Sequence, residues 1–335
     1  MNSSVRAPLR WLDFTALTAA ADAFDLQVAR TPGVDRFCSS SRWALPAQQA
    51  FMPHTEPFIT EGPDGFVALM IMRLEDGRRI GLPLEASWGL ASPFAGADPA
   101  PLVRQLQQMM QHPLAPESLY LSGISREGPW FEAVLKGFMG RARFGLGRAC
   151  GRRVADLRPG IDAWLAERSS GFRAHLRRMR RRAYDAGLEF TWITHISPEA
   201  LPALFDRVMA IESQSWKGRS GVGVAEGEAR AFYRQVTARL AACGELRVLL
   251  GQKGNQDAVF LMGGVFGDTF RGLQMSFNED LRELCLGNVA QLEAMERLHA
   301  EGVAFYDLGT EMDYKARWAP EGLETVTLAL FPERP

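Results

Sequence analysis

The sequence predicts an α/β chain of the α+β kind, with mixed sheets flanked by helices, arranged as two tandem copies of one unit. Three observations carry that expectation. The length, 335 residues, suits two domains better than one. In the C-terminal half, strand and helix signals run strand, helix, helix, three-strand meander, helix, strand, short helix, strand. In the N-terminal half a blurred version of that order returns as meander, helix, strand and helix, so the first copy reads as degenerate.

The C-terminal elements are the clearer ones. Ser170–Ala186 places Phe172, Leu176, Met179 and Ala183 at helical spacing, and Gly187 stops the helix. Leu188–Thr194 is a short β-branched strand. Ser197 and Pro198 read as the cap and first position of a helix reaching about Ser213. Trp216–Gly227 is a glycine-rich loop, which suits a lid over a substrate, and Glu228–Ala242 is amphipathic. Leu246–Leu250, Ala258–Phe266 and Thr269–Phe277 form an antiparallel meander, with turns at Gly254-Asn255 and Gly267-Asp268. A loop over Asn278–Gly287 leads to a helix over Asn288–Ala300, closed by Gly302. Phe305–Leu308 is a strand, Glu311–Trp318 a loop or short helix, and Thr325–Phe331 the last strand.

In the N-terminal half, Ala16–Phe24 is helical, and Gly65–Leu74 with Arg79–Leu84 forms a hairpin around Glu75-Asp76-Gly77. Helices over Pro101–Gln111 and Pro129–Phe138 flank a strand at Ser118–Leu121, and Gly147–Asp156 reads as one further strand. Pro159-Gly160 breaks the chain inside Arg158–Ser170, which suggests domains of 1–165 and 166–335.

Composition narrows the function. Lys and Arg total 38 against 39 Asp and Glu, so a globally basic nucleic-acid binder is disfavoured while a local basic patch is not. The four cysteines lie far apart and the five histidines show no HxxxH or HExxH spacing, which points away from a disulfide framework and from a metal site. That cysteine usage fits a reducing cytoplasm. The strongest apolar run, Phe66–Met72, is too short to span a bilayer. Only four basic residues are lysines, Lys136, Lys217, Lys253 and Lys315; against an arginine background, each marks a chemically different cation.

Some motifs can be set aside. Ser125 in Gly123-Ile124-Ser125-Arg126-Glu127 lacks the second glycine of a nucleophile elbow. Gly221, Gly223 and Gly227 do not follow a strand, so they are no dinucleotide fingerprint, and no P-loop is present. Arg173, Arg177, Arg178, Arg180, Arg181 and Arg182 make one helix locally very basic. A solvated face paired with nearby acids is the plainer reading of that run, and a polyanion ligand the sharper one.

Three segments carry a family resemblance over residues 170–320. Phe172-Arg173-Ala174-His175-Leu176-Arg177-Arg178 with Gly187 behind it is one. Glu212-Ser213-Gln214-Ser215-Trp216-Lys217-Gly218 is the second. Tyr306-Asp307-Leu308-Gly309, followed by Tyr314-Lys315 and Trp318, is the third. Together they resemble the acetyltransferase-6 branch of the GNAT acyltransferases, which includes CelD-like proteins of cellulose biosynthesis. The branch is similar to the tandem-GNAT architecture of Fem-type aminoacyl transferases. The resemblance implies an acyl-CoA donor in a splay between the fourth and fifth strands, its pyrophosphate at the start of the following helix. Here that places the donor against Met275, Ser276, Phe277, Leu286, Gly287 and Asn288. The phosphate loop departs from the family's Q/R-x-x-G-x-G/A pattern, since Arg282–Asn288 keeps one glycine, and Gly287 also reads as a plain turn.

Acyl transfer to an amine needs a base, a proton source for the leaving thiolate and donors for the oxyanion. Asp307 at a strand end and Glu311 four residues on are the base candidates, with Glu212 before the Trp-Lys motif as the alternative; Asp307 also reads as a buried capping residue, and Glu212 as a partner for Lys217 or an arginine. Tyr314 is the candidate proton donor, or a ring packed in the core. Trp216, Lys217, Glu311 and Lys315 are the candidate substrate contacts, with Lys217 otherwise a solvated loop lysine. The expected function is transfer of an acyl group from acetyl-CoA or another acyl-CoA to a small-molecule or carrier-linked amine between the two domains, without a metal. The alternatives are an aminoacyl-tRNA-dependent transferase, with tRNA as partner, and a non-catalytic GNAT-fold protein of polysaccharide biosynthesis. The last predicts a filled splay.

Overall fold

The computed structural model describes residues 9–333. The chain forms two compact units: one runs to Gly151 and takes in the segment from Leu323, the other spans Arg152–Gly322. The change of unit thus falls before Pro159-Gly160, ahead of the break expected over Arg158–Ser170.

The first unit contains β1 (Arg10–Leu12), α1 (Phe14–Ala19), α2 (Ala21–Arg30), α3 (Arg36–Ser39), α4 (Ser41–Phe51), β2 (Glu56–Gly62), β3 (Gly65–Arg73) and β4 (Arg79–Pro83). After these come β5 (Phe94–Ala95), α5 (Pro99–Met109), β6 (Ser118–Ile124), α6 (Pro129–Phe138) and β7 (Ala142–Leu146). The β3–β4 hairpin forms as expected: Gly77 takes φ +83° in its turn, a conformation that suits glycine. β2 escapes the sequence pattern because only Phe58, Ile59 and Thr60 of its seven residues are buried, between polar ends.

The second unit holds β8 (Arg152–Asp156), α7 (Ile161–Ala166), α8 (Ser170–Asp185), β9 (Leu188–Ile193), α9 (Leu201–Gln214), α10 (Trp216–Arg219) and α11 (Gly227–Ala242). Then come β10 (Leu246–Lys253), β11 (Gln256–Phe266), β12 (Thr269–Phe277), α12 (Leu286–Ala300) and β13 (Phe305–Thr310). Two 3-10 turns, Glu279–Leu284 and Asp313–Arg317, flank α12 and β13. Helix α8 buries Leu176, Met179 and Ala183, and Ser169 Oγ accepts from Phe172 N at its start. Ser197 does not begin α9. Its hydroxyl accepts from Ala200 N in a turn, and the helix starts at Leu201 with Pro202 in the first turn.

The last strand, β14 (Val326–Pro332), corrects the expected layout. It leaves the second unit and pairs antiparallel with both β6 and β7. Val326, Leu328 and Leu330 alternate inward and join Leu119 and Leu121 in the first unit's core. A period of two marks a strand and its buried face, but does not say which sheet receives it. The strand expected over Gly147–Asp156 is likewise divided between β7 in the first sheet and β8 in the second.

The two sheets share a plan. The first runs β1-β2-β3-β4-β6-β14-β7 and the second β9-β10-β11-β12-β13-β8. Each begins with four antiparallel strands, then adds a parallel neighbour reached through a helix. That neighbour is β6 after α5 in one sheet and β13 after α12 in the other. An antiparallel strand then covers it, β14 in the first sheet and β8 in the second. This is the mixed α/β architecture with two sheets that the sequence predicts.

Candidate active site

In the second sheet, β12 and β13 pair over only three positions, Thr269↔Phe305, Phe270↔Tyr306 and Arg271↔Asp307. Beyond them the strands diverge. A Cβ on Gly272 would stand 2.9 Å from Tyr306 Cε2, so only glycine lets the tyrosine ring lie against the backbone where the strands part. The gap encloses a cavity of about 350 Å³. Gln274, Met275, Ser276 and Phe277 of β12 form one wall, and Tyr306 and Leu308 of β13 face them. Met312, Tyr314 and Lys315 close one side, Trp216 and Lys217 another, and Gln291 of α12 also lines it.

Lys217 is the best-connected residue of this cavity. Its Nζ donates to Gln274 Oε1 at 2.9 Å and to the Met275 carbonyl at 3.3 Å, and stands 3.3 Å from Glu212 Oε2. Glu212 is fully buried, and its other oxygen accepts from Val224 N at 3.2 Å. The glycine-rich segment after α10 is thereby folded down onto Glu212. A Cβ on Gly218 would lie 2.5 Å from the carbonyls of Glu212 and Ser213, which accounts for a glycine after Trp216-Lys217. Gln274 is held in turn, donating from Nε2 to Tyr233 Oη at 2.8 Å.

A second network lies under the opposite wall. Asp307 accepts from Arg271 Nη1 at 2.5 Å and from Gly309 N at 2.7 Å, so both carboxylate oxygens are engaged. Lys315 Nζ donates to the Thr310 carbonyl at 2.8 Å. Burial, assisted by the Arg271 guanidinium, lowers its pKa to about 8, against the opposing pull of Asp307. Burial also raises the Tyr314 phenol above its usual value, so it keeps its proton at neutral pH. Tyr306, whose hydroxyl donates to Gln291 Oε1 at 3.2 Å, is raised further by complete burial.

The fold therefore brings together Trp216, Lys217, Met275, Ser276, Phe277, Tyr314 and Lys315 around one cavity. Glu212 stands behind it and reaches it through Lys217, whereas Asp307 pairs with Arg271 and neither of these two lines the cavity. Leu286, Gly287 and Asn288 do not line it. Leu286 is buried in the core, and the Cβ position of Gly287 lies 3.4 Å from Met275 Cε. Glu311 turns away to pair with Arg153. Gln291 and Met312 also line the cavity without any motif to mark them, while Gln274, Tyr306 and Leu308 belong to the strand ends, Gln274–Phe277 and Phe305–Leu308, expected to flank the donor. Of these, Tyr306 and Leu308 sit inside the quoted Tyr-Asp-Leu-Gly motif, and Gln274 is a polar side chain within an otherwise apolar strand end. In the arginine run of α8, Arg180 pairs with the buried Glu293 and with Glu296 of α12, and the exposed Arg181 with Asp185.

Counted from β9, the cavity opens between the fourth and fifth strands of the sheet. Residues 170–316 match the family described as the acetyltransferase (GNAT) domain. The second unit carries a GNAT acetyltransferase domain. That match, confined to the second unit, supports an acyltransferase. Solved structures extend the likeness beyond the GNAT domain. FemX superposes with a TM-score of 0.64 at 10% identity, covering 96% of this chain and 97% of that one. A protein of unknown function from Bacteroides thetaiotaomicron gives 0.60 at 14% identity, covering 97% and 99%. L-PGS from Bacillus licheniformis gives 0.53 at 12%, covering 94% and 92%. At these identities the likeness is one of fold. No curated protein sequence matches the chain. Among the described residues, no three His, Cys, Asp or Glu side chains gather into a metal-holding group, and no helix is long and apolar enough to cross a membrane.

Proposed function

We propose that the GNAT domain transfers an acyl group from acyl-CoA to an amine by direct attack. The observation that carries this reading is the open splay, an apolar-walled slot with a protonated phenol and a lysine of lowered pKa on one side. A filled splay would favour the non-catalytic alternative.

The thioester lies along Met275, Phe277, Leu308 and Met312, with Trp216 at the rim. The Met275 carbonyl points to Lys217, and in an extended strand the N–H of the same residue points to the same side. That N–H is the donor for the oxyanion that forms as the amine adds to the carbonyl carbon. Lys315, in its neutral form, takes the proton from the attacking nitrogen. The C–S bond then breaks, and Tyr314 Oη protonates the departing thiolate. Asp307 and Glu212 act as positioning residues through Arg271 and Lys217, since the oxygens of both carboxylates are engaged by protein groups.

A second reading replaces acyl-CoA with an aminoacyl-tRNA. It is favoured by the degenerate phosphate loop, since Arg282–Asn288 keeps only one glycine of the family's Q/R-x-x-G-x-G/A pattern.

The test is thermal unfolding with acetyl-CoA, longer acyl-CoAs and free CoA. A ligand at about 100 times its Kd stabilises the folded state by about 2.7 kcal/mol, which moves the midpoint by a few degrees. A shift that varies with acyl length supports the acyl-CoA reading. No shift at saturating concentration favours the aminoacyl-tRNA reading, with the non-catalytic GNAT-fold protein close behind.

A further inference from the structure

The 3-10 turn Asp313–Arg317 has a different environment on each side. Tyr314 and Lys315 face the splay, while Ala316 and Arg317 line a second cleft of about 620 Å³. Arg168, Ser169, Phe172, His175 and Arg178, from the start of α8 and the residues before it, form the rest of its wall with Glu167 and Gly171. Three guanidinium groups and an imidazole thus border one opening, against a single carboxylate.

That carboxylate is already taken, because Glu167 lies 3.3 Å from Arg168 Nη2. Arg168 is held in place by stacking 4.9 Å over the Trp164 ring. Arg178 Nη2 donates to His175 Nδ1 at 3.1 Å, which leaves the imidazole proton on Nε2 as a further donor. Arg178 and Arg317 have no acidic partner among the described residues. The sixteen-residue helix α8 also begins here, and its positive end adds to the field. Planar forks converging with a ring N–H match the oxygens and charge of a phosphate better than they match a lone carboxylate.

We propose that this cleft binds a phosphate group of one of the substrates, with Arg178 and Arg317 as its main contacts. The reactive end of that substrate passes round the 3-10 turn into the splay, a placement that rests on the acyl-transfer reading. The phosphate belongs either to the acyl donor or to the acceptor.

Calorimetric titration of the full chain with sodium pyrophosphate at constant ionic strength tests the site. Saturable one-to-one binding is expected, weakened at least about tenfold in Arg178→Gln/Arg317→Gln. Both side chains are exposed, so that variant should melt like the wild type. Trp216→Ala, at the splay, should leave pyrophosphate binding unchanged. Absence of saturable binding at millimolar pyrophosphate, or equal affinity in the double variant, overturns the proposal. Repeating the titration with CoA bound separates the sources: lost pyrophosphate binding assigns the phosphate to the donor, and retained binding assigns it to the acceptor. If pyrophosphate binds while no acyl-CoA shifts the melting curve, the phosphate site stands and the acyl-CoA reading falls.

Discussion

Lys217 Nζ stands 3.3 Å from Glu212 Oε2, and the two members of this pair differ sharply in their access to water. The Glu212 side chain has no exposure, whereas the Lys217 side chain keeps 21%. Loss of the lysine strands a buried carboxylate, while loss of the carboxylate leaves an ammonium that can turn to solvent. Lys217→Met should therefore destabilise the protein by about 3 kcal/mol or more, and Glu212→Gln by less. The double variant should be milder than Lys217→Met alone. Urea unfolding of the three variants measures this, and an order with Glu212→Gln as the worst would contradict it.

Asp307 occupies the position where a general base is expected, but its oxygens are held by Arg271 and Gly309. Asp307→Asn removes the counter-charge of a guanidinium whose side chain is only 5% exposed. Stability should fall by about 3 kcal/mol, and turnover should fall with it. A base that titrates freely would behave differently: turnover would collapse while the melting temperature stayed put. Measuring both on the same preparation separates the two roles.

Lys315 ties the reaction to pH. Its folded value of about 8 lies below the usual lysine range, so between roughly pH 8 and 10.5 the folded state binds fewer protons than the unfolded state. Its contribution to stability therefore improves as pH rises through that window. For catalysis, the neutral amine is the active form. The rate at low substrate should rise with pH and level off above about 8, and Lys315→Met should abolish that rise. An unchanged profile in the variant would remove Lys315 from the role of base.

Tyr314 is half-exposed at the cavity rim, and among the described residues its hydroxyl makes no hydrogen bond. Tyr314→Phe should lower kcat about 10- to 100-fold with an unchanged melting temperature. A thiolate leaves readily, so the effect belongs at the low end of general-acid catalysis. Solvent isotope effects on kcat should also change, which a packing role for the ring would not produce.

Much of this site was legible in the sequence, and the remainder was hidden for identifiable reasons. The Trp216-Lys217 and Tyr314-Lys315 pairs stood out through the family motifs and, more weakly, the scarcity of lysine, and both line the cavity. The meander, α12 and β13 followed from periodicity, whereas the splay between the fourth and fifth strands was implied by the family resemblance. Partnership was not legible. Arg271 lies 36 residues from Asp307, and Gln274 lies 57 from Lys217, so only the parallel pairing of β12 with β13 and the packing of α10 reveal them. The first turn of α12 has the right place in sequence for a phosphate loop, yet Leu286, Gly287 and Asn288 do not line the cavity, and the Cβ position of Gly287 lies against Met275 and Phe277.

The destination of β14 was the least legible feature, and it yields the most direct structural test. Its residues follow the GNAT domain in sequence, but they sit between β6 and β7 of the other sheet. Val326, Leu328 and Leu330 fill the first unit's core beside Leu119, Leu121 and Ile124. Ending the chain after Gly322 would remove an interior strand, leaving the ladder groups of β6 and β7 without partners and a cavity in the core. The first unit should lose its protection from hydrogen exchange, especially in β6 and β7. The second unit should keep its protection in β10–β12, because all six of its strands lie between Arg152 and Thr310. Exchange measured by mass spectrometry on the shortened chain reads both at once. Equal loss across the two units would show that their stability is shared rather than divided at Gly151/Arg152.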